Sequence, residues 1–478
     1  VKHTDTDKTV HMTVGGIVGD LYSGTICKND AGKRGYVKGN ITINSSSEAS
    51  SSTQYRCVGG VAGFTTKGTI QDIDILSEDT SINLILSTIG ANVHVGGAAG
   101  CVNSGSCVFK NITNNAPVNA TIGTMSSSSY NVYIGGLTGR LVGAVKSENL
   151  TNYGKVTVES TTNIAGVLSA GGIFAVNTDA IGQHKNLVNN GEILIKTGTY
   201  ANIYLGGISG GEQPLGKTTN YFEDCTNNGK ITLEDGVVAA GNIRMGGCFG
   251  WTKGVYDKNI RNNGDIYVGA KTSGSNRQIL FGGVYSYNSG TKYPMTGGYV
   301  NTGDITITGG TNTSTNGFGT TIGGIVGAFY GELANAVNVG NIYFSGVANT
   351  ANSNVGGIVG YSQGLGIIHD CKSYCDIQAY IPNEDGSIKT AYPNAGFITG
   401  SLRIPEVLTK GAALQAVVRN CQLGGTWLDD YDGSEEQFTG KKINSSNFHN
   451  YIYGGDTDWT NVADYDGCTL LTSKPKID

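Results

Sequence analysis

Apolar positions along this chain recur in a unit of about 37 residues, and a pair of glycines between apolar neighbours marks each unit. The pair occurs ten times, and Ala395–Gly396 is a degenerate further copy. Successive copies lie 33 to 44 residues apart, which is the spacing of a repeat protein whose loops vary in length. The first glycines of the pairs are Gly15, Gly59, Gly96, Gly135, Gly171, Gly206, Gly246, Gly282, Gly323 and Gly356.

Each unit also contains short stretches in which apolar and polar residues alternate. One precedes the glycines, as in NVYI at 131–134, and another follows an asparagine–glycine turn, as in IYV at 266–268. Alternation with a period of two is typical of half-buried strands, and no competing helical period is present. A single unit cannot bury its own apolar face, whereas stacked units can. The pattern therefore predicts an all-β fold, a parallel β-solenoid (β-helix) of about ten to eleven coils of ~37 residues, with three short strands each.

A second signature in each unit is a turn rich in asparagine and glycine, as in HKNLVNNGEI at 184–193. These residues tolerate left-handed backbone and form Asx turns, so we expect them to supply the turn between strands. Cysteine alternates with leucine and isoleucine at the apolar position before this turn, which indicates a small buried side chain. That position holds Ile112, Leu150, Leu187, Cys225, Ile260, Cys371 and Cys421.

The glycine pairs themselves need an explanation, because glycine weakens a strand interior. The apolar residues on the two sides of a pair are three positions apart, as Ile134 and Leu137 are. On a straight strand they would face opposite sides. A bend or bulge at the glycines would turn both inward, and we favour it. The alternative is that one of the two apolar rows faces outward under a covering loop.

The start and the end of this pattern divide the chain into three predicted segments. Residues 1–13 are polar and are predicted to be an N-terminal tether or cap, and residues 14–425 form the solenoid. Residues 426–478 change character, with an acidic run at 429–436 and an aromatic stretch at 448–455. A solenoid has open strand edges at its ends, so we expect this last segment to be a C-terminal capping segment. A separate ligand-binding element is the alternative.

The composition agrees with many short strands joined by polar turns. Glycine accounts for 75 of the 478 residues and proline for 7, while 14% of the residues are charged. This is not the profile of a disordered chain. The net charge is −5 and the basic residues are scattered, which excludes the basic patch of a nucleic-acid-binding protein. No stretch approaches the roughly 18 apolar residues that a membrane-spanning helix needs.

Ten cysteines are too sparse in a chain of this length for a scaffold stapled by disulfides. Two alternatives stay open. One is a local bridge between Cys101 and Cys107, and the other is a zinc site at Cys371 and Cys375, which lack a second pair nearby. We expect no metal and no other cofactor.

The unit GGIVG…N-x-x-N-x-G-x-I resembles the GLUG-type repeats of bacterial surface proteins, which usually have a shorter period. The closing GGTW…FTGKKINSSNFHNYIYGG resembles C-terminal stretches of secreted and lipid-anchored proteins of gut Bacteroidota. The resemblance implies an adhesin or an accessory lipoprotein beside a nutrient importer, on the extracellular face of the outer membrane. Contact with the membrane would be through an N-terminal lipid anchor only. Because Val1 is not a natural start, we expect that a signal peptide has been removed.

Stacked units place equivalent outward residues in columns that can recognise a repetitive ligand. Aligning the triplets puts Asp265 one coil from Asp304, about 5 Å between backbones. Carboxylates and amides bind sugar hydroxyls, and an aromatic face packs on a sugar ring. The alternatives are a calcium site, a glycosidic carboxylate pair, or simply a solvated surface. The candidate ligand-binding residues are Asp265, Tyr267, Asp304, Thr306, Tyr343 and Asp376. A second predicted outward column holds His94, Tyr133, Tyr204 and Arg244.

No catalytic motif is present, and the six histidines are dispersed. We therefore assign no catalytic residue and expect a non-enzymatic cell-surface β-solenoid whose partner is a polysaccharide or an outer-membrane protein. A β-helix polysaccharide lyase or glycoside hydrolase is the first alternative, since such sites are built from scattered residues. A purely structural subunit or spacer is the second.

Overall fold

A computed structural model describes most of the chain. The described residues are 2–5, 12–29, 31–45, 55–103, 106–125, 130–178, 182–213, 220–252, 255–273, 278–288, 294–309, 320–345, 353–379, 394–403, 418–431, 438–442 and 467–477. Within these ranges all regular structure is strand, and no helix is long and apolar enough to cross a membrane.

The strands stack turn upon turn as a parallel β-solenoid, which confirms the predicted fold. Each turn carries four strand segments rather than the three predicted, because the chain is also extended between the glycine pair and the asparagine turn. About eight turns are complete, with a repeat near 38 residues, slightly fewer than the ten to eleven coils predicted. In one turn, two bridging residues, Phe249 and Thr252, replace the strand after the glycines.

The four strand families are named by their position relative to the glycine pair and the asparagine turn. The pre-glycine strands are Met12–Gly15, Tyr55–Gly59, Asn92–Gly96, Val132–Gly135, the ends of Val156–Gly171 and Ile193–Gly206, Ile243–Gly246, Ile279–Gly282, Thr320–Gly323, Asn354–Gly356 and Asn394–Gly396. The post-glycine strands are Val18–Leu21, Ala62–Thr65, Ala99–Asn103, Thr138–Val142, Phe174–Thr178, Ser209–Gln213, Tyr285–Asn288, Val326–Ala334, Val359–His369 and Thr399–Arg403.

The remaining families flank the asparagine turn. The pre-turn strands are Thr25–Ile26, Gly35–Val37, Thr69–Ile75, Cys107–Asn114, Val145–Asn152, Gln183–Asn189, Tyr221–Asn227, Tyr256–Asn262, Tyr299–Asn301, Ala336–Asn338, the start of Lys372–Ala379 and Val418–Arg419. The post-turn strands are Lys2–Asp5, Ile41–Ser45, Ile82–Ile89, Val118–Met125, the starts of Val156–Gly171 and Ile193–Gly206, Ile231–Ala239, Ile266–Val268 with Lys271–Thr272, Ile305–Ile307, Ile342–Phe344 and the end of Lys372–Ala379.

Strands from both predicted end segments add to the stack. Lys2–Asp5 pairs in parallel with Ile41–Ser45 at the start of the chain. At the other end, Gln422–Tyr431 pairs with Lys372–Ala379 and with Thr469–Leu470 in parallel, and with Phe438–Lys442 antiparallel. The aromatic stretch at 448–455 and most of the acidic run lie outside the described residues, and the role of the end segments stays a prediction.

The glycine pairs form a sharp bend, as favoured from the sequence. Ile134 and Leu137, on the two sides of one pair, are both buried, and the flanking apolar residues of later turns behave alike. A Cβ on Gly135 would lie 2.0 Å from the carbonyl oxygen of Thr138, and one on Gly136 would lie 2.0 Å from that of Gly172. No real Cβ approaches so closely, so only glycine fits both positions. Ile17 in the first turn is an exception and is half-exposed.

A third glycine, four residues after the first, lets the post-glycine strand fold back onto the pre-glycine strand. A Cβ on Gly139 would lie 2.7 Å from the backbone nitrogen of Val95, in the turn before. The two strands therefore enclose a crease on the outside of the bend. This crease covers side chains that would face solvent on a straight strand.

A ladder of buried asparagines lies beneath the bend. Asn152 Nδ2 donates to Asn189 Oδ1 at 2.8 Å and to the carbonyl oxygen of Gly154 at 2.9 Å, and the amide of Gly154 donates back to Asn152 Oδ1. The amide-to-amide bond recurs up to Asn338, where Ser373 takes the next position, so the buried amides within the ladder have hydrogen-bond partners. The ladder consists of Asn114, Asn152, Asn189, Asn227, Asn262, Asn301 and Asn338, all fully buried.

The left-handed residue of the turn is an asparagine that precedes the buried apolar position. Asn149 and Asn186, just before the buried apolar position, have φ near +55°, whereas the glycine after the ladder asparagine does not. A Cβ on Gly154 would instead lie 1.9 Å from the carbonyl oxygen of Ala116, so this glycine is required for close stacking. The apolar position itself is confirmed as core, because every residue assigned to it is at most 1% exposed.

Replacing Asn227 by alanine should lower the free energy of unfolding by about 3 kcal/mol, because hydrogen-bonding groups of Asn189, Gly229 and Asn262 would lose partners inside the protein. The adjacent Asn228 is exposed and belongs to an outer ladder, so Asn228→Ala should change stability by less than about 0.5 kcal/mol. Urea unfolding followed by circular dichroism measures both. Equal effects of the two variants would contradict a special role for the buried ladder.

Gly136→Ala should destabilise the fold by about 3 kcal/mol or more, since its methyl group meets backbone that cannot move aside. Gly211→Ala is the matched control, because the nearest atoms to its Cβ are side-chain atoms at an ordinary 3.7 Å. Its effect should stay within about 0.5 kcal/mol. Thermal unfolding of both variants gives the comparison, and a well-tolerated Gly136→Ala would show that the bend does not depend on contact between turns.

Candidate functional site

The structure brings the six candidate residues of the sequence analysis onto one outward surface, here called the aspartate face. The register pairs Ile266 with Ile305, which sets Asp265 beside Asp304 as expected. Tyr267, Thr306 and Tyr343 follow one another in a neighbouring column, and Asp376 lies one turn beyond Asn341. Whether these residues bind a ligand stays a prediction.

The carboxylates of the aspartate face already have partners within the protein. Asp265 Oδ1 accepts a hydrogen bond from the backbone amide of Asp304 at 2.9 Å, and Asp304 Oδ1 accepts one from Asn341 at 2.7 Å. Asn341 Oδ1 in turn accepts from the amide of Asp376 at 2.9 Å. Each side chain thus ties its own turn to the next, so the column has a structural role.

The aromatic residues of this face are also partly occupied. Tyr267 donates to Asp235 Oδ1 at 3.3 Å and accepts from Thr308 Oγ1 at 3.2 Å, while the Lys230 ammonium lies 5.7 Å from its ring centre. Burial, and then the nearby charges of Asp304 and Asp376, raise the pKa of the Tyr343 hydroxyl. The aspartate face therefore offers little unoccupied aromatic surface.

A groove of about 650 Å³ lies on a different surface, along the outward side chains of the pre-turn strands. Its floor includes Phe109 and His184, which are both buried. Burial lowers the pKa of His184 to about 3, so this imidazole is uncharged at neutral pH. The polar lining residues are Lys110, Lys146, Glu148, Gln183, Lys185 and Glu223.

Charges of alternating sign run along this groove, because one column contributes a lysine and then a glutamate on successive turns. Lys110 Nζ lies 2.7 Å from Glu148, and Lys185 Nζ lies 3.1 Å from Glu223. Lys258, one turn further, lies 3.6 Å from the other oxygen of Glu223. These side chains are part-exposed, so each pair adds at most about 1 kcal/mol to stability.

Two exposed tyrosines continue the groove. Tyr221 lines it, and Tyr256 occupies the same position one turn further along the column. Their rings are 5.1 Å apart and inclined by only 15°, with 48% and 43% of the residue surfaces exposed. The two rings therefore stack on each other, and the surface that they leave exposed lies beside the polar groups. We call this pair, together with the lining residues, the tyrosine groove. The tyrosine groove was not predicted from the sequence, although both tyrosines lie six residues before a ladder asparagine.

The prediction of a second outward column is wrong for His94 and Tyr204, whereas Tyr133 and Arg244 are half-buried. His94 is fully buried and Tyr204 nearly so, because the post-glycine strand folds over them at the crease. Arg244 lies over the rings of Tyr204, Trp251 and Tyr287 at 5.6, 4.9 and 4.9 Å. Burial lowers the pKa of Arg244, and the aromatic faces compensate part of the cost. This column stabilises the bend rather than facing solvent.

The two alternatives left open for cysteine find no support. The described cysteines are free thiols, so the Cys101–Cys107 bridge is wrong, and the Cys107 thiol donates instead to the carbonyl oxygen of Thr66. Cys371 lies in the buried apolar column and contacts the carbonyl oxygen of His369, whereas Cys375 contacts Ser373. The two thiols therefore have separate surroundings and form no paired site.

One carboxyl has the raised pKa that a general acid needs, but it lies in the wrong place. Asp257 accepts hydrogen bonds from the hydroxyls of two buried residues, Tyr285 and Tyr299, one on each oxygen. Burial of the carboxyl raises its pKa to about 6, while the two hydroxyls act in the opposite direction. The residue as a whole keeps some exposed surface, but its oxygens face the tyrosines, so burial dominates. Asp257 is a structural acid of the core.

Comparison with known proteins gives no further guide: no protein-family model, no curated protein and no solved structure matches this chain.

The folded protein should lose stability as the pH rises from about 4 to about 6, because folded Asp257 keeps its proton over a range in which the unfolded chain has released it. A rise of about two pKa units corresponds to a contribution of up to about 3 kcal/mol, present below pH 4 and lost above pH 6. Asp257→Asn should remove this part of the slope in a series of urea unfolding curves. An unchanged slope in the variant would assign the pH dependence to other groups.

Proposed function

We propose that this protein is a non-enzymatic bacterial cell-surface β-solenoid that binds an extended glycan in the tyrosine groove. The observation that carries the proposal is the parallel, exposed pair Tyr221 and Tyr256 beside a polar groove. Surface location is supported by the resemblance of the repeat unit to bacterial surface proteins, and it rests on that resemblance alone.

The groove has the chemistry that sugars require. An aromatic ring packs on the apolar face of a sugar ring, while carboxylates, amides and ammonium groups bind its hydroxyls. Tyr221 and Tyr256 supply the aromatic surface. Glu223 is on the same strand as Tyr221, and Gln183 and Lys185 are on the preceding turn. Because neighbouring strands are about 4.8 Å apart, these groups recur along the groove at a regular interval that suits a polymer of repeating units.

The charges of the groove favour a neutral glycan. Lysines and glutamates alternate and pair with one another, so no large field of one sign develops along the column. A strongly anionic polysaccharide would meet Glu148 and Glu223 as well as the lysines. We therefore expect hydrogen bonding and ring stacking to dominate binding, with weak dependence on salt.

The same pairing supports binding rather than catalysis. Glycoside hydrolysis needs one carboxyl held as an acid beside a second carboxylate. Glu148 and Glu223 are separated by the intervening turn of Lys185, and each contacts a lysine. The aspartate face is the less favoured alternative surface, since its carboxylates hold backbone amides of the next turn.

Tyr221→Ala and Tyr256→Ala should each weaken binding to a neutral polysaccharide about tenfold, which is the loss of roughly 1.4 kcal/mol of stacking. Affinity electrophoresis over a polysaccharide panel identifies the ligand, and titration calorimetry on oligosaccharides of that ligand gives the dissociation constants. Tyr153→Ala is the control, since Tyr153 is exposed but not in the groove lining. Its affinity should equal that of the unsubstituted protein.

Three outcomes would redirect the proposal. Equal affinity in both groove variants, with a loss in Tyr267→Ala and Tyr343→Ala, would transfer binding to the aspartate face. Release of reducing ends or unsaturated products would indicate a polysaccharide-degrading enzyme. Neither binding nor turnover, together with copurification of an outer-membrane protein, would indicate a spacer or subunit.

A further inference from the structure

Two thiols and one imidazole meet in the crease, away from the tyrosine groove. Cys57 and His94 are register partners on adjacent pre-glycine strands, and Cys101 is on the post-glycine strand that folds back over them. All three residues are at most 1% exposed. Their donor atoms lie within 4.8 Å of one another. The three residues come from two successive turns, so their meeting depends on the stacking of the solenoid.

The spacing of these atoms suits a tetrahedral metal ion. Cys57 Sγ lies 3.6 Å from His94 Nδ1. Zinc–sulfur and zinc–nitrogen bonds of about 2.3 and about 2.0–2.1 Å at the tetrahedral angle place the two donor atoms about 3.6 Å apart. The same distance suits a thiol–imidazole hydrogen bond in the metal-free protein, so the pair can exchange that contact for a shared ion.

The two nitrogens of the buried imidazole differ in their surroundings, since Nδ1 faces the Cys57 thiol and Nε2 faces no polar group of the described residues. His94 Nε2 is buried and has no hydrogen-bond partner among the described residues. The rings of Tyr55 and Tyr133 lie on its two sides, each with its centre 5.4 Å away, and they fix the ring plane. Nδ1 is thus the nitrogen directed at the thiols, and coordination of a metal by Nδ1 would leave the proton on Nε2.

We propose that Cys57, His94 and Cys101 bind one zinc ion, with a water molecule as the fourth ligand. Two thiolates neutralise the charge of Zn²⁺, so the buried site carries no net charge, and thiolates with imidazole are ligands that zinc favours. Binding displaces the two thiol protons to solvent. Arg140 is the register neighbour of Cys101 on the next turn, and its charge favours the thiolate form. The ion would join two turns across the crease.

The test uses the full chain, reduced and freed of metal with a chelator. Cobalt(II) replaces zinc as a spectroscopic probe, and its thiolate charge-transfer band is followed during titration. We expect one equivalent of cobalt per chain, its displacement by one equivalent of zinc, and a higher melting temperature with zinc bound. No stoichiometric binding of either ion by the reduced protein would overturn the proposal, as would a Cys57–Cys101 disulfide that persists under mild reductant.

Cys57→Ser, Cys101→Ser and His94→Ala should each weaken metal binding by more than about 100-fold, since even the outer-shell partners of ligands are worth roughly 10–100-fold. Cys107→Ser is the matched control, because Cys107 is an equally buried thiol outside the site, and its one equivalent should remain. Circular dichroism of each variant separates lost ligation from lost folding. If a variant does not fold, the zinc-dependent melting temperature of the unsubstituted protein decides. Retained binding in all three folded variants would overturn the assignment.

Discussion

Contact between the backbones of successive turns at the glycine corner is the constraint on which the rest of the molecule depends. The carbonyl oxygen of the second glycine in one pair lies where a Cβ on the second glycine of the preceding pair would be. Gly172, for example, blocks a Cβ on Gly136. A buried asparagine fills the inside of the same corner and bonds to its copies above and below. Neither feature tolerates a shift of one residue, so the corner fixes the register of every strand in the turn.

Once the register is fixed, equivalent outward residues of successive turns form a column. Some columns hold the stack together, and others face solvent. The aspartate face is largely of the first kind, because Asp265 and Asp304 accept hydrogen bonds from the next turn. The column of Tyr221 and Tyr256 is of the second kind, since both rings stay exposed. The groove therefore keeps more of its aromatic side chains accessible than the aspartate face, although of the two only the aspartate column was singled out from the sequence.

The sequence was sufficient to predict the repeat, the β-solenoid and the buried apolar column, because these depend only on period and alternation. It did not predict the fourth strand or the crease, since the angle of the bend depends on where the third glycine, such as Gly139, meets backbone. The sequence also could not show which asparagine is left-handed, because Asn149 and the later ladder asparagine look alike. Of the surface sites, the aspartate column could be aligned from its triplets, but the concavity beside Tyr221 has no sequence signal. The sequence likewise contains no signal that Cys57, His94 and Cys101 lie together.

The alternation of lysine and glutamate along the groove has a consequence for how such a protein gains or loses length. Lys110, Glu148, Lys185, Glu223 and Lys258 follow one another turn by turn. Loss of one turn from this region would set two like charges side by side, whereas loss of two would restore opposite neighbours. Duplication or deletion of turns in this part of the column is therefore favoured in even numbers. This parity follows from the charges of the column and not from the packing of its core.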